Sequence, residues 1–210
     1  MVTVFVFDAG IPIGLNAIGF LEEVMQYLEE MDSEVLMSTQ NLSEVSWKES
    51  KILRDSECFE VICSDDHKTK YKKIRNEWNK KNINLSRNDK YVLLLAKIKQ
   101  ANFVVTNDGT VIRKAYKIKQ EYEIDYMNPI SNIGLLKYLN DKNYLNQEKF
   151  IKSSLKLYKK DGLSNLLRLI SKDPIWGEKC EKIKLKDIRE HFQEYKDPII
   201  DVIQGGVLHG

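Results

Sequence analysis

Apolar runs alternate with amphipathic segments along the first part of the chain. Residues 2–7 (VTVFVF) form an apolar, β-branched run, which is typical of a strand buried on both faces of a parallel sheet. From Leu15 to about Met31, apolar residues recur at helical spacing and glutamates occupy the opposite side, so this stretch predicts an amphipathic helix. Residues 34–38 (EVLMS) predict a second strand. The chain therefore opens in the order strand, helix, strand.

The segment that follows the second predicted strand opens with a helix-capping signal. Ser38 or Thr39 can cap a helix that includes Glu44 in its first turns. A short run at 59–62 (FEVI) predicts a third strand, and the basic stretch from His67 to Lys81 favours a solvated helix. The first half of the chain thus predicts three strands with helices between them.

The same alternation returns from Ser86 onward. A capping box at Ser86 predicts a buried helix from about Arg87 to Gln100. Residues 103–106 (FVVT) predict a strand, and the turn at 107–109 leads into another helix. A last short strand is predicted near Tyr122 to Tyr126. Strands that alternate with helices indicate an α/β fold with a parallel sheet of about five strands.

Beyond this predicted sheet the pattern is helical throughout. Helices are predicted at 132–139, 147–160, 162–172 and 182–195. No internal repeat or low-complexity linker interrupts the sequence. We therefore expect residues 1–145 to form one domain and residues 146–210 to form a helical extension packed on or beside it.

The composition is that of a globular protein, since 42% of the residues are hydrophobic and 30% are charged. The 33 basic and 31 acidic residues nearly cancel, so a role with nucleic acid depends on where the positive charges cluster. No apolar run approaches the roughly 18 residues of a membrane-spanning helix, and the start of the chain lacks the basic region of a secretion signal. We expect a cytoplasmic protein with no membrane partner. Its three cysteines have no CxxC spacing, which argues against a disulfide framework and a thiolate zinc site.

Four acids are expected at the carboxyl edge of the predicted sheet. Asp8 and Asp108 each follow an apolar strand. Glu44 is predicted early in the helix after the second strand, and Asp89 in the first turn of the helix before the strand that ends near Asp108. Parallel sheets bind ligands beyond the carboxyl ends of their strands, so these acids can share one rim. Crowded carboxylates repel one another, and a divalent cation that prefers hard oxygen ligands offsets the repulsion. The inferred cofactor is Mg²⁺ or Mn²⁺.

Each acid also has an ordinary structural interpretation. Asp8 and Asp108 can be plain helix N-caps. Glu44 can be a first-turn acid favoured by the helix dipole, and Asp89 can be the acid of a capping box. The order of the four acids along the chain, more than any one of them, favours a shared site.

In this order of motifs the chain resembles the PIN-domain family. Residues 8–15 (DAGIPIGL) are similar to the family's opening aspartate motif, and residues 38–45 (STQNLSEV) to its second block. Residues 85–96 and 103–115 are similar to the third and fourth blocks. The most specific piece is Val-Val-Thr-Asn-Asp at 104–108. The resemblance covers about the first two thirds of the chain.

Two further segments look most like one branch of that family. The run from Asp8 to Gly19 and the segment from Ile133 to Leu139 are similar to small prokaryotic PIN proteins close to the toxins of toxin-antitoxin pairs. The chain departs from the family pattern at Ala9, where many members carry a hydroxyl, and in the helical extension after about residue 145. The first departure puts a hydrogen bond near the metal in doubt, and the second puts the partner and the target in doubt.

The resemblance implies a three-layer αβα sandwich and a metal-dependent ribonuclease that cuts RNA internally and leaves a 5′ phosphate. It implies that the catalytic and metal-binding quartet is Asp8, Glu44, Asp89 and Asp108. Thr106 and Asn107 would support the rim of this site. The toxin-like branch implies an antitoxin that covers the acidic pocket, with the helices after residue 145 available for that contact or for a homodimer.

Basic residues supply two candidate surfaces for RNA. The first lies in the helix after the Asp108 turn and consists of Arg113, Lys114 and Lys117. The second is the Lys-rich stretch from Lys68 to Lys81, which includes Tyr71 and Trp78. A solvated helix face explains that second stretch equally well.

Other functions compete with the nuclease interpretation. A PIN-like module that binds RNA or protein without cutting is the main alternative. A phosphoryl-transfer domain that uses Asp8 or Asp108 as phosphoacceptor would need a lysine after a strand, and none is well placed. Dinucleotide binding is disfavoured because Gly10, Gly14 and Gly19 do not fit GxGxxG, and the GxxxxGK[ST] phosphate loop is absent.

Overall fold

The computed structural model describes residues 2–83, 85 and 89–161 of the 210-residue chain. In these residues one sheet is formed by β1 (Thr3–Phe7), β2 (Ser33–Ser38), β3 (Phe59–Ile62), β4 (Phe103–Val105) and β5 (Asn128–Ile130). The strand order is β3-β2-β1-β4-β5, and each neighbouring pair is parallel. The predicted α/β class with a five-stranded parallel sheet is confirmed.

Helices cover both faces of this sheet. Within the described ranges, the connections contain α1 (Gly10–Ala17), α2 (Leu21–Glu30), α3 (Thr39–Leu42), α4 (Trp47–Arg54), α5 (Lys68–Lys80), α6 (Asp89–Lys99) and α7 (Gly109–Tyr122). The helices α1, α2 and α4 contact one another, whereas α6 contacts α5 and α7 and packs against β1, β2 and β4. Right-handed crossovers that run in opposite directions across a sheet lie on opposite faces. The arrangement is consistent with three layers.

The central strand β1 is buried on both sides. Val6 pairs in register with Leu36 and Val104, and these three side chains belong to one buried cluster with residues of α5, α6 and α7. Phe5 and Phe7 are also fully buried, and strand alternation directs them to the other face. This is the environment that the continuous apolar run at the start of the chain predicted.

Two helix predictions were wrong. The stretch from Leu15 to about Met31 is not one helix, because α1 ends at Ala17, α2 begins at Leu21, and Gly19 between them has φ 70°. Glycine adopts this left-handed conformation without a Cβ penalty, so it ends the first helix. The helix after β2 ends at Leu42, and Glu44 lies beyond it in the turn before α4.

The last strand is also displaced from its predicted position. The helix α7 continues to Tyr122, and β5 is Asn128–Ile130 instead of a strand near 122–126. A three-residue strand has too little alternation to stand out locally, and its pairing with β4 defines it. The predicted capping residue Ser86 lies outside the described residues, and α6 begins at Asp89.

The chain divides into two compact units, the first ending at Asn132 and the second beginning at Ile133. The helices α8 (Asn132–Asp141) and α9 (Gln147–Asp161) lie where helices were predicted. Asn140 Nδ2 donates to Leu145 O over 2.7 Å in the turn between them. The helices predicted at 162–172 and 182–195 lie outside the described residues. In the part of the chain that the structure describes, no helix is long and apolar enough to cross a membrane.

Candidate active site at the switch point of the sheet

The strand order creates a switch point between β1 and β4. From β1 the chain moves outward through β2 to β3, and it then returns to the other side of β1 to form β4 and β5. Crossovers on the two sides leave a crevice beyond the carboxyl ends of β1 and β4, which is the usual ligand position in open α/β sheets. Asp8 follows β1, and residues 106–108 follow β4. The structure therefore brings two of the predicted acids to the edges of this crevice.

Asp8 is held beside β4 by its main chain and its carboxylate. Its amide donates to Val105 O over 3.0 Å, which extends the ladder between the two strands. The half-buried carboxylate accepts from Thr106 Oγ1 over 2.7 Å through Oδ2. Its Oδ1 accepts from Ala9 N over 2.8 Å and from Asn41 Nδ2 over 3.3 Å. Uncharged donors from three parts of the chain thus fix the orientation of this acid.

Thr106 connects the two acids of the crevice. Its side chain is fully buried, and its amide donates to Ile130 O on β5 over 2.9 Å. The hydroxyl donates to Asp8 and accepts from the Asp108 amide over 3.1 Å. A single buried hydroxyl therefore ties the end of β1 to the turn after β4.

Asp108 is the N-cap of α7, as one of its two interpretations predicted. Its Oδ1 accepts from Thr110 N over 2.6 Å, and its backbone is extended as a capping residue requires. The residue is exposed. A cap uses one carboxylate oxygen, so capping and ligand binding are compatible uses of the same side chain.

A buried amide lies behind this crevice. Asn132 is 2% exposed, and its backbone amide donates to Asn107 Oδ1 over 3.1 Å. Neither polar atom of the Asn132 side chain has a partner among the described residues. A Cβ added at Gly14 would lie 2.4 Å from Asn132 Nδ2, so the glycine allows the amide to approach α1. Buried polar groups nearly always have partners, and an orphaned amide here points to a water or ligand at the crevice.

For the other two predicted acids, the described residues give no contact by which to place them at this point. Glu44 is exposed in the turn between α3 and α4, and Asp89 is the first residue of α6, with a side chain outside the described part of the structure. Among the described side chains, no group of three or more His, Cys, Asp or Glu is arranged to hold a metal. Convergence of the full quartet remains a prediction.

The donors at the crevice nevertheless suit one type of cation. Mg²⁺ keeps several waters and commonly binds one or two protein carboxylates together with substrate phosphates. Asp8 and Asp108 supply hard oxygen atoms of that kind. The residues present therefore fit a sparsely ligated Mg²⁺ or Mn²⁺ better than a closed protein cage.

Sequence reasoning missed two residues of this region. Asn41 accepts from Ser38 Oγ over 2.5 Å and holds Asp8, and Asn132 lies behind Asn107. The only local signal was the cap, because Ser38 Oγ also accepts from Asn41 N over 3.1 Å at the start of α3. The approach of Asn132 to Gly14 depends on chain segments far apart in sequence and had no local signal.

The basic residues predicted for RNA binding lie on α7. Arg113 is exposed one turn after Asp108, and its Nη2 donates to Thr110 Oγ1 over 3.3 Å. Lys114 is half-buried. Lys117 is exposed, and its Nζ donates to Asn82 O over 3.4 Å, away from the helix start. Arg113 is therefore the best placed of the three to reach a phosphate at the crevice.

A further acid that sequence reasoning did not single out is Glu49 in α4. It is little exposed, and it accepts from Ser46 Oγ and from Asn16 Nδ2, the latter over 2.6 Å. The Ser46 hydrogen bond is the largest cause that lowers the pKa of this carboxyl, with a smaller contribution from Asn16. Ser46 and Glu49 have the S-x-x-E spacing of a capping box, and the hydrogen bond from Asn16 joins this acid of α4 to α1.

Comparisons of the chain with protein-family models, with curated proteins and with solved structures gave no match.

Proposed function

We propose that the chain is a divalent-metal-dependent ribonuclease of the PIN type, acting in the cytoplasm. The observation that carries the proposal is the link from Asp8 through Thr106 to Asp108 at the switch point of the sheet. It fixes the orientation of the Asp8 carboxylate and ties Asp8 to the start of the Asp108 turn, beyond the carboxyl ends of β1 and β4, which supports a ligand site there. The order of acidic motifs along the sequence supports the same function.

In this proposal Asp8 and Asp108 would hold Mg²⁺ or Mn²⁺ directly. Glu44 and Asp89 would act through water or orient the attacking water. When bound, the cation supplies Lewis-acid chemistry at the scissile phosphate. Thr106 and Asn41 keep the Asp8 carboxylate in one orientation.

The remaining steps concern the substrate. Arg113 contacts a phosphate beside the crevice. Water attacks phosphorus in line, a new O–P bond forms, and the bond to the 3′ oxygen breaks. A proton from the attacking water is delivered to the 3′ oxygen, so the products are a 3′ hydroxyl and a 5′ phosphate.

The test is cleavage of a mixed RNA pool with Mn²⁺ by the wild type and by Asp8→Asn, with the cut ends mapped. Asp55→Asn is the matched control, because it removes the same charge from an exposed residue at the end of α4. We expect cuts with 5′ phosphates from the wild type and from Asp55→Asn. Cleavage that persists in Asp8→Asn would refute the assignment of the site.

The second candidate is a PIN-like module that binds RNA or a protein without cutting. The observation in its favour is the lack of a three-residue metal-ligand group among the described side chains. A purified chain that retains RNA and never cleaves it with Mn²⁺ present would support this alternative over the nuclease.

A toxin role is part of the main proposal. The partner would be an antitoxin that covers the acidic crevice, with the part of the chain after residue 145 available for that contact or for a homodimer. Expression of the wild type should arrest growth, co-expression of the antitoxin should relieve the arrest, and a wild-type chain that is harmless on expression would count against this role.

A further inference from the structure

A cavity of about 220 Å³ lies at the carboxyl edge of β2 and β3, beside the crevice. Its wall includes Gln40 from α3 and Ser64 from the segment after β3, and Ser64 Oγ donates to Gln40 Oε1. Gln40 is followed directly by Asn41, which holds Asp8. The cavity and the crevice are therefore neighbouring features of the same edge of the sheet.

Four cations line this cavity. Lys68, Lys72 and Arg75 have i, i+4 and i+7 spacing, so they share one face of α5. Lys90 comes from the first turn of α6, a different element. Asp65 is the one acid of the lining. None of the four cations forms a salt bridge with a described residue. A solvated helix face would explain three of them, but the fourth, from another helix, makes a concave cationic site.

The inner wall of the cavity is aromatic. Tyr71 is 6% exposed, and its ring meets the Tyr91 ring edge to face at 6.1 Å. The Tyr71 hydroxyl is buried and makes no hydrogen bond of ordinary geometry with a described residue, although Ser64 is close enough to affect its ionisation. Burial raises the pKa of Tyr71 to about 12, so the phenol stays neutral and keeps its proton to donate. An acceptor in the cavity would satisfy this donor.

We propose that this cavity binds a single nucleotide, with the phosphate among Lys68, Lys72 and Arg75 and the base against Tyr91. Cations around a concave site select an anion, and the aromatic wall adds a surface for a planar ring. A cavity of about 220 Å³ has no room for more than one nucleotide, so it does not enclose a longer segment of RNA. Binding of a free nucleotide is independent of catalysis, whereas use of the cavity for the RNA nucleotide near the cut rests on the proposed function.

The experiment is isothermal titration of the full chain with 5′-AMP in low salt, with chelator in place of divalent metal. We expect Lys72→Gln and Arg75→Gln each to weaken binding about tenfold, the effect of one charge-assisted hydrogen bond. Lys73→Gln is the matched control, because it removes the same charge from an exposed residue of α5 outside the cavity lining. It should leave the affinity within about twofold, as expected when the cavity and not the overall charge attracts the ligand.

Titrations with related ligands identify which part of the nucleotide the cavity binds. Inorganic phosphate should bind more weakly than 5′-AMP, and adenosine should show no measurable binding. Adenosine that binds as tightly as 5′-AMP would overturn the proposal, and so would equal losses in Lys72→Gln and Lys73→Gln. A polyglutamate peptide that loses binding in Lys72→Gln, while 5′-AMP does not bind, would assign the cavity to an acidic protein segment and overturn the nucleotide site.

Asp8→Asn separates this inference from the proposed function. We expect it to bind 5′-AMP like the wild type, since Asp8 does not line the cavity. RNA cleavage in a chain that fails to bind 5′-AMP would overturn only the nucleotide site. Binding of 5′-AMP by a chain that never cleaves RNA would support the nucleotide site. That result would contradict only the proposed nuclease function.

Discussion

Replacing Thr106 by valine removes the hydroxyl that connects Asp8 to Asp108 and keeps the shape of the side chain. Two hydrogen bonds are lost, the donation to the Asp8 carboxylate at 2.7 Å and the acceptance from the Asp108 amide at 3.1 Å. The first is charge-assisted, and such bonds contribute about 1.5–3 kcal/mol, whereas a neutral one contributes about 0.5–1.5 kcal/mol. Because Asp8 is only half-buried, we expect a loss of about 2–4 kcal/mol in the free energy of unfolding.

Urea unfolding followed by circular dichroism measures this loss. A cost of this size is a large part of the roughly 5–15 kcal/mol that stabilises a typical domain, so it should be readily detected. Thr106→Ser keeps the hydroxyl and should recover most of the stability. Thr69→Val is the matched control at an exposed position of α5, and it should change stability by no more than about 0.5 kcal/mol.

A double-mutant cycle isolates the bond to the carboxylate. In an Asp8→Asn background the acceptor is uncharged and both lost bonds are neutral, so Thr106→Val should then cost less, about 1–3 kcal/mol. An equal cost of Thr106→Val in both backgrounds would refute the reasoning, because the hydroxyl would not be interacting with the charge of Asp8. If the nuclease proposal holds, Thr106→Val should also reduce cleavage by about 10- to 100-fold, as loss of a ligand's hydrogen-bond partner does.

Three further predictions follow from the same region and from the cavity. Gly14→Ala should lower the melting temperature, because its Cβ would lie 2.4 Å from buried Asn132 Nδ2, whereas Gly10→Ala meets no atom within 4 Å and should not lower it; a stabilised Gly14→Ala would contradict the packing. The folded protein binds the Tyr71 proton more tightly than the unfolded chain, whose tyrosine pKa is about 10, so this contribution to stability is complete below pH 10 and falls as the pH rises toward 12. Urea unfolding at several pH values should show a shallower alkaline loss in Tyr71→Phe, and identical losses in both chains would show that the phenol is not responsible. Asp8→Asn should reduce RNA cleavage by more than about 100-fold, because loss of a direct metal ligand costs more than loss of a ligand's hydrogen-bond partner. The cleavage assay with mapped cut ends measures this reduction, and a smaller one would contradict the assignment of Asp8 as a direct ligand.

The strands and their ends could be predicted where a local pattern specified them. β1 to β4 were recognised from apolar runs, and Asp8 and Asp108 were placed at strand ends because burial of a strand stops where polar residues begin. The Ser38 cap was recognised from residue type, since a short side-chain oxygen accepts from the helix amides. These features depend on neighbours in sequence.

Where a feature depended on backbone conformation or on pairing, the local pattern was misleading. The periodicity from Leu15 to Met31 continues past Gly19, but its positive φ separates two helices. β5 is too short to show alternation and is defined by its register with β4. Glu44 was predicted to lie in the first turns of the helix after β2, but that helix, α3, ends at Leu42.

Hydrophobic periodicity and capping residues by themselves determined the α/β class, most element positions and the two acids at strand ends, because these signals act within a few residues. Only the tertiary structure decided which side chains meet. The strand order sets β1 against β4, so that Thr106 bridges Asp8 and Asp108, and it sets α5 against α6, so that Lys90 completes a cationic cavity. Such contacts join residues far apart in sequence, and no local pattern encodes the distance between them.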